Sequence, residues 1–245
     1  MPGLYDDADL YDLVSPRDES MERFYVDIAG GPGRTVLELA CGSGRFTIPL
    51  AESGAQTTGA DLSEIMIEKA ESRALTRGLD VHFFKLDMRD FELNALFDCV
   101  IVAANSLLHL HTSEDFARAF AAIRRHLAPG GILAFDIFVP SAYMLSRHPD
   151  ERQHVGKFSH SLLGEISVEE TISYNPITQV SHSDWYWSTV TEPEFRHTSV
   201  DMRQIYPQEL PLLLQHNGFE LLSRYGDFDK VAFDVESRRQ VCLCR

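Results

Sequence analysis

The sequence predicts an α/β fold: an open, doubly wound, mostly parallel sheet with helices on both faces and an inserted antiparallel sheet. Apolar runs alternate with helical patterns through the first 140 residues, as in a parallel sheet covered by helices. A glycine-rich turn follows the first run. Beyond residue 150 the apolar period changes from helical to two, the mark of antiparallel strands. The 245 residues suit one domain, residues 1–245, carrying an embedded insertion.

Five strands are predicted in the first part: TVLELA (35–40), QTTGAD (56–61), VHFFKLD (81–87), FDCVIVAAN (97–105) and GILAFDIF (131–138). Between the second and third, Ser63 suits a helix N-cap, Met66, Ala70 and Ala74 share one helical face, and Gly78 suits the exit. TSED, Thr112 to Asp115, approximates a capping box. Phe116, Phe120, Ile123 and Leu127 then form a helical stripe ended by APGG. Right-handed crossovers of this length place the ligand crevice at the carboxyl ends of the strands.

In EISVEETISY, Ile166, Val168, Ile172 and Tyr174 share one face and Glu165, Ser167, Glu169, Thr171 and Ser173 the other, and NPIT offers a turn. With QVSHSDWYWSTV and FRHTSVDMRQIY this predicts an antiparallel sheet over roughly residues 157–206. The chain then returns through a helix, QELPLLLQHNGF, and two more strands, FELLSRYG and RQVCLCR, which makes seven in the main sheet.

The balance is acidic, 37 Asp and Glu against 22 Lys and Arg for a formal charge of -15. No basic run is long enough to track a phosphate backbone, so nucleic acid is not an expected partner. The start, MPGLYDDADLYDLV, has no basic segment leading into an apolar one, and no apolar run approaches the roughly 18 residues of a membrane span. A soluble cytoplasmic protein is expected. Four cysteines, Cys41, Cys99, Cys242 and Cys244, read as buried free thiols, and no metal site is expected.

LELACGSGR (37–45) places a strand before two glycines one residue apart, where backbone N–H groups can approach a ligand that a Cβ would push away. A dinucleotide fingerprint needs a third glycine, and its position holds Thr47. An NAD-dependent oxidoreductase is disfavoured accordingly. In GADLSEIM, Asp61 ends the second strand, placed to accept from both hydroxyls of an adenosine ribose, with helix capping as the competing role. In LDMRDF, Asp87 ends the third strand, placed for an adenine amine beside Met88. Three strand ends in sequential order are more specific than any one.

These segments resemble the class I S-adenosylmethionine-dependent methyltransferases: VLELACGSGR the first motif, GADLSEIM the second, LDMRDF the third, and LAPGGILAFDIF the usual turn and fifth strand. The resemblance implies a Rossmann-like seven-stranded sheet. It is nearest to small-molecule enzymes such as amino-sugar N,N-dimethyltransferases and glycine N-methyltransferases, which carry a Tyr-Asp pair near the amino terminus, here Tyr11 and Asp12, and a substrate-covering antiparallel sheet. It further implies that Glu38 and the backbone of Ala40, Gly42 and Gly44 surround the methionine part of the cofactor, and that Asp61 holds the ribose. Leu62 would lie against the adenine, Asp87 would take its amine, Met88 would offer its backbone and Tyr11 would help close the pocket. Ala104 and Asn105 would bring backbone near the donor and the substrate.

Methyl transfer from a sulfonium is an in-line displacement, so the enzyme mainly aligns acceptor, methyl and sulfur in a dry pocket and leaves S-adenosylhomocysteine. His109, after the fourth strand, is the candidate base or orienter. Tyr143, Trp185, Arg203 and Tyr206 are candidate acceptor contacts, an inward Arg203 pointing to a carboxylate. Trp185 and Trp187 share one strand face and Tyr186 takes the other; one face is expected to pack the sheet onto the main domain, and the other to meet solvent, substrate or a partner subunit in a homodimer through this sheet. A small-molecule N-methyltransferase is favoured, with O- or C-methylation open. The alternatives are a cofactor-binding regulatory module without turnover and a protein or nucleic-acid methyltransferase.

Overall fold

The structure is a computed structural model and describes residues 3–245. Its helices are α1 (Ala8–Val14), α2 (Glu19–Ala29), α3 (Thr47–Glu52), α4 (Glu64–Thr76), α5 (Ser113–His126), α6 (Ala142–Leu145) and α7 (Glu209–His216). The strands are β1 (Thr35–Leu39), β2 (Gln56–Asp61), β3 (His82–Lys85), β4 (Phe97–Val102), β5 (Leu127–Phe138), β6 (Gln153–His160), β7 (Gly164–Asn175), β8 (Val180–Thr189), β9 (Arg196–Arg203), β10 (Leu221–Tyr225) and β11 (Arg239–Cys244). They form two compact units: Arg17–Val139 with Ile205–Arg245, and the segment through Pro16 with Pro140–Gln204.

The larger unit is a seven-stranded sheet in the order β3-β2-β1-β4-β5-β11-β10. The first five strands run parallel, and β11 is antiparallel to both β5 and β10. Strand order reverses between β1 and β4, which makes their carboxyl ends the switch point where such sheets bind ligands. Local chemistry sets the helix starts. Asp18 accepts from Ser20 N and Met21 N to open α2, Ser63 accepts from Met66 N to open α4, and Thr112 and Asp115 form a capping box on α5. Phe24, Tyr25, Val36, Phe46, Cys99 and Ile101 belong to the core. All four thiols are free and buried, and burial pushes those of Cys99 and Cys244 up to about 12.

APGG does not end α5. The helix stops at His126, and Leu127–Phe138 is one strand. Gly130 has a φ of 81°, and a Cβ on Gly131 would stand 2.9 Å from Ala128 O and Phe97 O, so these glycines let the start of β5 fold closely onto β4.

The smaller unit is an antiparallel sheet, β6-β7-β8-β9. Its core joins Leu4 and Leu10 to Ile166, Val168 and the fully buried Trp187, with Tyr11, Trp185 and Phe195 packed against them. The sheet begins at Gln153, earlier than period-two alternation indicates. A register shift between His154 and Gly156 breaks the alternation in β6, so its apolar residues do not fall on one parity. On the opposite face Tyr186 stacks on His197 at 4.7 Å under the Arg152 guanidinium, and Asp184 Oδ1 meets His197 Nε2 at 2.8 Å and His182 Nε2 at 3.3 Å. That face is a polar ladder. No helix among the described residues is long and apolar enough to cross a membrane.

Candidate active site

The turn after β1 holds three left-handed residues, Ala40 at φ 55°, Gly42 at 55° and Gly44 at 83°. The Ala40 conformation is strained, by about 1–2 kcal/mol for a residue with a Cβ. Gly44 has a second reason to be glycine, since a Cβ there would lie 3.3 Å from Ala70 and Ile48. The turn is pinned from α4, where Arg73 Nη1 donates to Ser43 O at 2.9 Å and Ser43 Oγ at 2.6 Å. No sequence signal marked Arg73, because it lies on an ordinary polar helix face.

Glu38 is 1% exposed, in the strand paired with both β2 and β4. Burial pushes its carboxyl up to about 8, and the opposing influences are the Thr47 hydroxyl, which donates to Oε2, and the charge of Arg45. Thr47 therefore has a positive role at the position where a dinucleotide site needs glycine. Asp61 ends β2 and joins two turns: Oδ2 accepts from Gly42 N and Oδ1 from Ser63 N, each at 2.8 Å. Burial raises its pKa despite those N–H groups. Ser63 itself caps α4, so Asp61 is not the cap. Leu62 beside it is 63% exposed.

Asp87 follows β3 and is clamped by Arg89, whose Nη2 donates to Oδ2 at 2.6 Å and whose Nε donates to Oδ1 at 3.0 Å. That hydrogen bonding holds the carboxyl below its ordinary range despite partial burial. Arg89 Nη1 also reaches Asp115 Oδ1 at 3.1 Å, which ties the turn to the cap of α5. Met88 between them is half-buried.

At the end of β4, Ala104 and Asn105 take φ of 56° and 64°. Strained non-glycine residues collect at functional sites. Two ties hold them: Ala104 N donates to Asp136 Oδ1 at 2.8 Å, and Asn105 Oδ1 accepts from Phe138 N at 2.7 Å. The Asn105 carbonyl is thus engaged by the backbone of β5. Tyr25 OH also donates to Asp136 Oδ1, at 2.6 Å, and burial raises the Asp136 pKa against these bonds. Tyr25→Phe is expected to destabilise the protein by about 1–3 kcal/mol, read as a lower denaturant midpoint. An unchanged midpoint would remove this tie from the account.

His109 ends the short 3-10 turn Ser106–His109 that follows, and is half-buried. Tyr206, 39% exposed, has its backbone N–H on Glu209 Oε2. Tyr11, Tyr143, Trp185 and Arg203 belong to the smaller unit. Tyr143 is 67% exposed, its hydroxyl accepting from Gln153 Nε2 at 2.9 Å. Arg203 Nη1 donates to Gln204 O at 2.7 Å. In the YGDFD loop, Asp227 accepts from Phe228 N and Asp229 from Val231 N, which makes them turn acids.

Comparison with known proteins agrees with this geometry. Residues 36–131 match the model of a methyltransferase domain. The YqeM protein of Bacillus subtilis (strain 168) is 29% identical over 83% of this chain and 81% of its own. A dTDP-3-amino-3,4,6-trideoxy-alpha-D-glucopyranose N,N-dimethyltransferase of Streptomyces venezuelae is 31% identical over 54% of this chain and 56% of its own. The solved structure of the CcbJ methyltransferase from Streptomyces caelestis superposes with a TM-score of 0.84 at 25% identity, covering 99% of this chain and 98% of that one.

The chain therefore carries a methyltransferase domain over residues 36–131, in a fold that it shares with solved methyltransferases. The residues fit S-adenosylmethionine, because two buried or half-buried carboxylates, Glu38 and Asp61, flank a backbone turn and suit a cationic donor with a ribose.

Proposed function

We propose that this enzyme methylates the nitrogen of a small amine and releases S-adenosylhomocysteine. The observation that carries the reading is the trio of carboxylates Glu38, Asp61 and Asp87, on or just after the neighbouring strands β1, β2 and β3. Glu38 and the backbone from Ala40 to Gly44 hold the amino-acid part of the cofactor and Asp61 the ribose hydroxyls. Leu62 packs on the adenine, Asp87 takes its amine, Met88 contributes backbone, and Tyr11 closes over the ligand.

When bound, the cofactor supplies a methyl on a sulfonium, a leaving group that needs no further activation. The acceptor nitrogen attacks uncharged, its N–C bond forming as the C–S bond breaks, and the product ammonium then gives up a proton. His109 is the proposed proton acceptor. The Ala104–Asn105 backbone fixes the approach, and Tyr143, Trp185, Arg203 and Tyr206 are the proposed acceptor contacts. Nitrogen is favoured because named relatives are sugar N,N-dimethyltransferases, and a net charge of -15 disfavours nucleic acid.

Incubation with methyl-labelled cofactor and a panel of small amines, phenols and carboxylic acids tests this. Label is expected in amines. Label only in phenols or acids contradicts the nitrogen assignment.

A further inference from the structure

On the polar face of the smaller sheet His182 stands between two acids. Its Nδ1 lies 2.6 Å from Asp201 Oδ1 on β9, and its Nε2 lies 3.3 Å from Asp184 Oδ1 on its own strand. A carboxylate only accepts hydrogen bonds and a neutral imidazole carries one N–H, so His182 can donate to both acids only as the imidazolium. His197 differs. It turns Nε2 to Asp184 Oδ1 at 2.8 Å while its ring lies on Tyr186, and a single N–H serves that contact. Among the described residues no three His, Cys, Asp or Glu side chains are grouped to hold a metal ion. The cluster is a proton site.

The other groups on this face set the charge balance. Asp201 lies directly opposite His182 on β9, and the uncharged Ser173 lies opposite it on β7. Further along, Arg152 covers Tyr186 and pairs with Glu169 at 3.6 Å and Glu194 at 2.6 Å, and His154 stands opposite Glu169. Arg203, next beyond Asp201 on this face of β9, donates from Nη1 to Gln204 O. The His182 ring is thus what joins Asp184 to Asp201. Without its proton, one carboxylate meets a lone pair and two like charges face each other across the strand pair, which is destabilising. Burial opposes the imidazolium, but the hydrogen bond to Asp201 and the charges of Asp184 and Asp201 raise the His182 pKa above its ordinary 6.5. The folded chain therefore keeps a proton that the unfolded chain gives up. That stabilisation is full below about 6.5 and is lost as the pH rises through the higher folded value.

Strand β9 ends the sheet order β6-β7-β8-β9, and on its outer side Gly3 makes an isolated bridge to Ser199. An edge strand has one full ladder, so the cross-strand pair His182–Asp201 contributes directly to its hold. The other face of β9 carries Thr198, whose hydroxyl accepts the indole N–H of the fully buried Trp187 at 3.0 Å. We infer that His182 is a proton-operated latch between β8 and β9: as the imidazolium it fastens the edge strand, and on losing its proton it lets β9 open from the sheet. The inference does not depend on the cofactor or acceptor readings.

The chain has only two tryptophans, so Trp185→Phe assigns the Trp187 indole N–H in a nitrogen-15 spectrum, and His182→Gln assigns the His182 imidazole. The His182 titration midpoint is expected above 6.5, and Asp201→Asn is expected to lower it. Solvent exchange of the Trp187 indole hydrogen, normalised to the intrinsic rate at each pH, should lose about two- to fivefold of its protection as His182 titrates, the range for an exposed ion pair. His182→Gln, checked for fold by a retained Trp187 signal, should show the reduced protection on both sides of that titration. Asp201→Asn keeps the imidazole, so its loss of protection should move to lower pH together with its midpoint.

The inference is overturned by a His182 midpoint at or below 6.5, by Trp187 protection that stays level while His182 titrates, or by a fall in protection that is as large in His182→Gln as in the wild type. A midpoint unmoved in Asp201→Asn likewise removes the cross-strand pair from the latch.

Discussion

Asp61→Ala is expected to weaken S-adenosylmethionine binding by at least about 2 kcal/mol, roughly thirtyfold. The reason is double. In the proposed complex the carboxylate accepts from both ribose hydroxyls, and such charge-assisted bonds are worth more than neutral ones. The same two oxygens also accept from Gly42 N and Ser63 N, so truncation frees the turn after β1 from the end of β2. The two contributions are separable. A cofactor product analogue with a 2′,3′-dideoxy ribose lacks the hydroxyl bonds, so the mutation should weaken its binding less than that of S-adenosylhomocysteine. An equal loss for both ligands assigns the whole effect to the turn and removes Asp61 from the ribose.

Glu38 gives the second large effect, a pH dependence that glutamine abolishes. Burial holds its carboxyl near 8 in the free protein, well above the ordinary 4.5, so the folded state takes up a proton that the unfolded state releases above its own pKa. The stability linked to that proton is full below about 4.5 and is lost as the pH rises through about 8. Glu38→Gln should therefore flatten this slope and be relatively more stable at alkaline pH. Binding runs the other way. A cationic donor favours the carboxylate, so below pH 8 binding expels the proton, and affinity climbs with pH by up to about tenfold per unit. Subtracting the Glu38→Gln profile removes the cofactor's own titration. If wild type and Glu38→Gln run parallel, the carboxyl does not face the cationic end of the cofactor.

The placement of the candidate carboxylates was legible because parallel strands end in a fixed order and chemistry collects at their ends. Glu38, Asp61 and Asp87 announced themselves as acids at the ends of apolar runs, and the sheet order with its switch point makes them neighbours. Thr47 was legible only as a missing glycine; its hydroxyl bond to Glu38 needed the first turn of α3 to be in place. The ties that hold the turn after β4 were not legible. Tyr25 and Asp136 are 111 residues apart in the chain, and neither lies in a motif. Arg147 and Glu170 were missed for a similar reason: a buried ion pair between the end of α6 and a strand leaves no periodic trace, and Glu170 merely broke an apolar face. Strand β6 was hidden by its own bulge.

In the proposed complex three strand-end carboxylates build a site for a sulfonium nucleoside. Titration calorimetry of the purified protein with S-adenosylmethionine at pH 7, repeated in two buffers of different ionisation enthalpy, tests it most directly. One site per chain is expected, with protons released to the buffer, a release that disappears in Glu38→Gln. Absence of binding, or binding by the wild type with proton uptake, would contradict it.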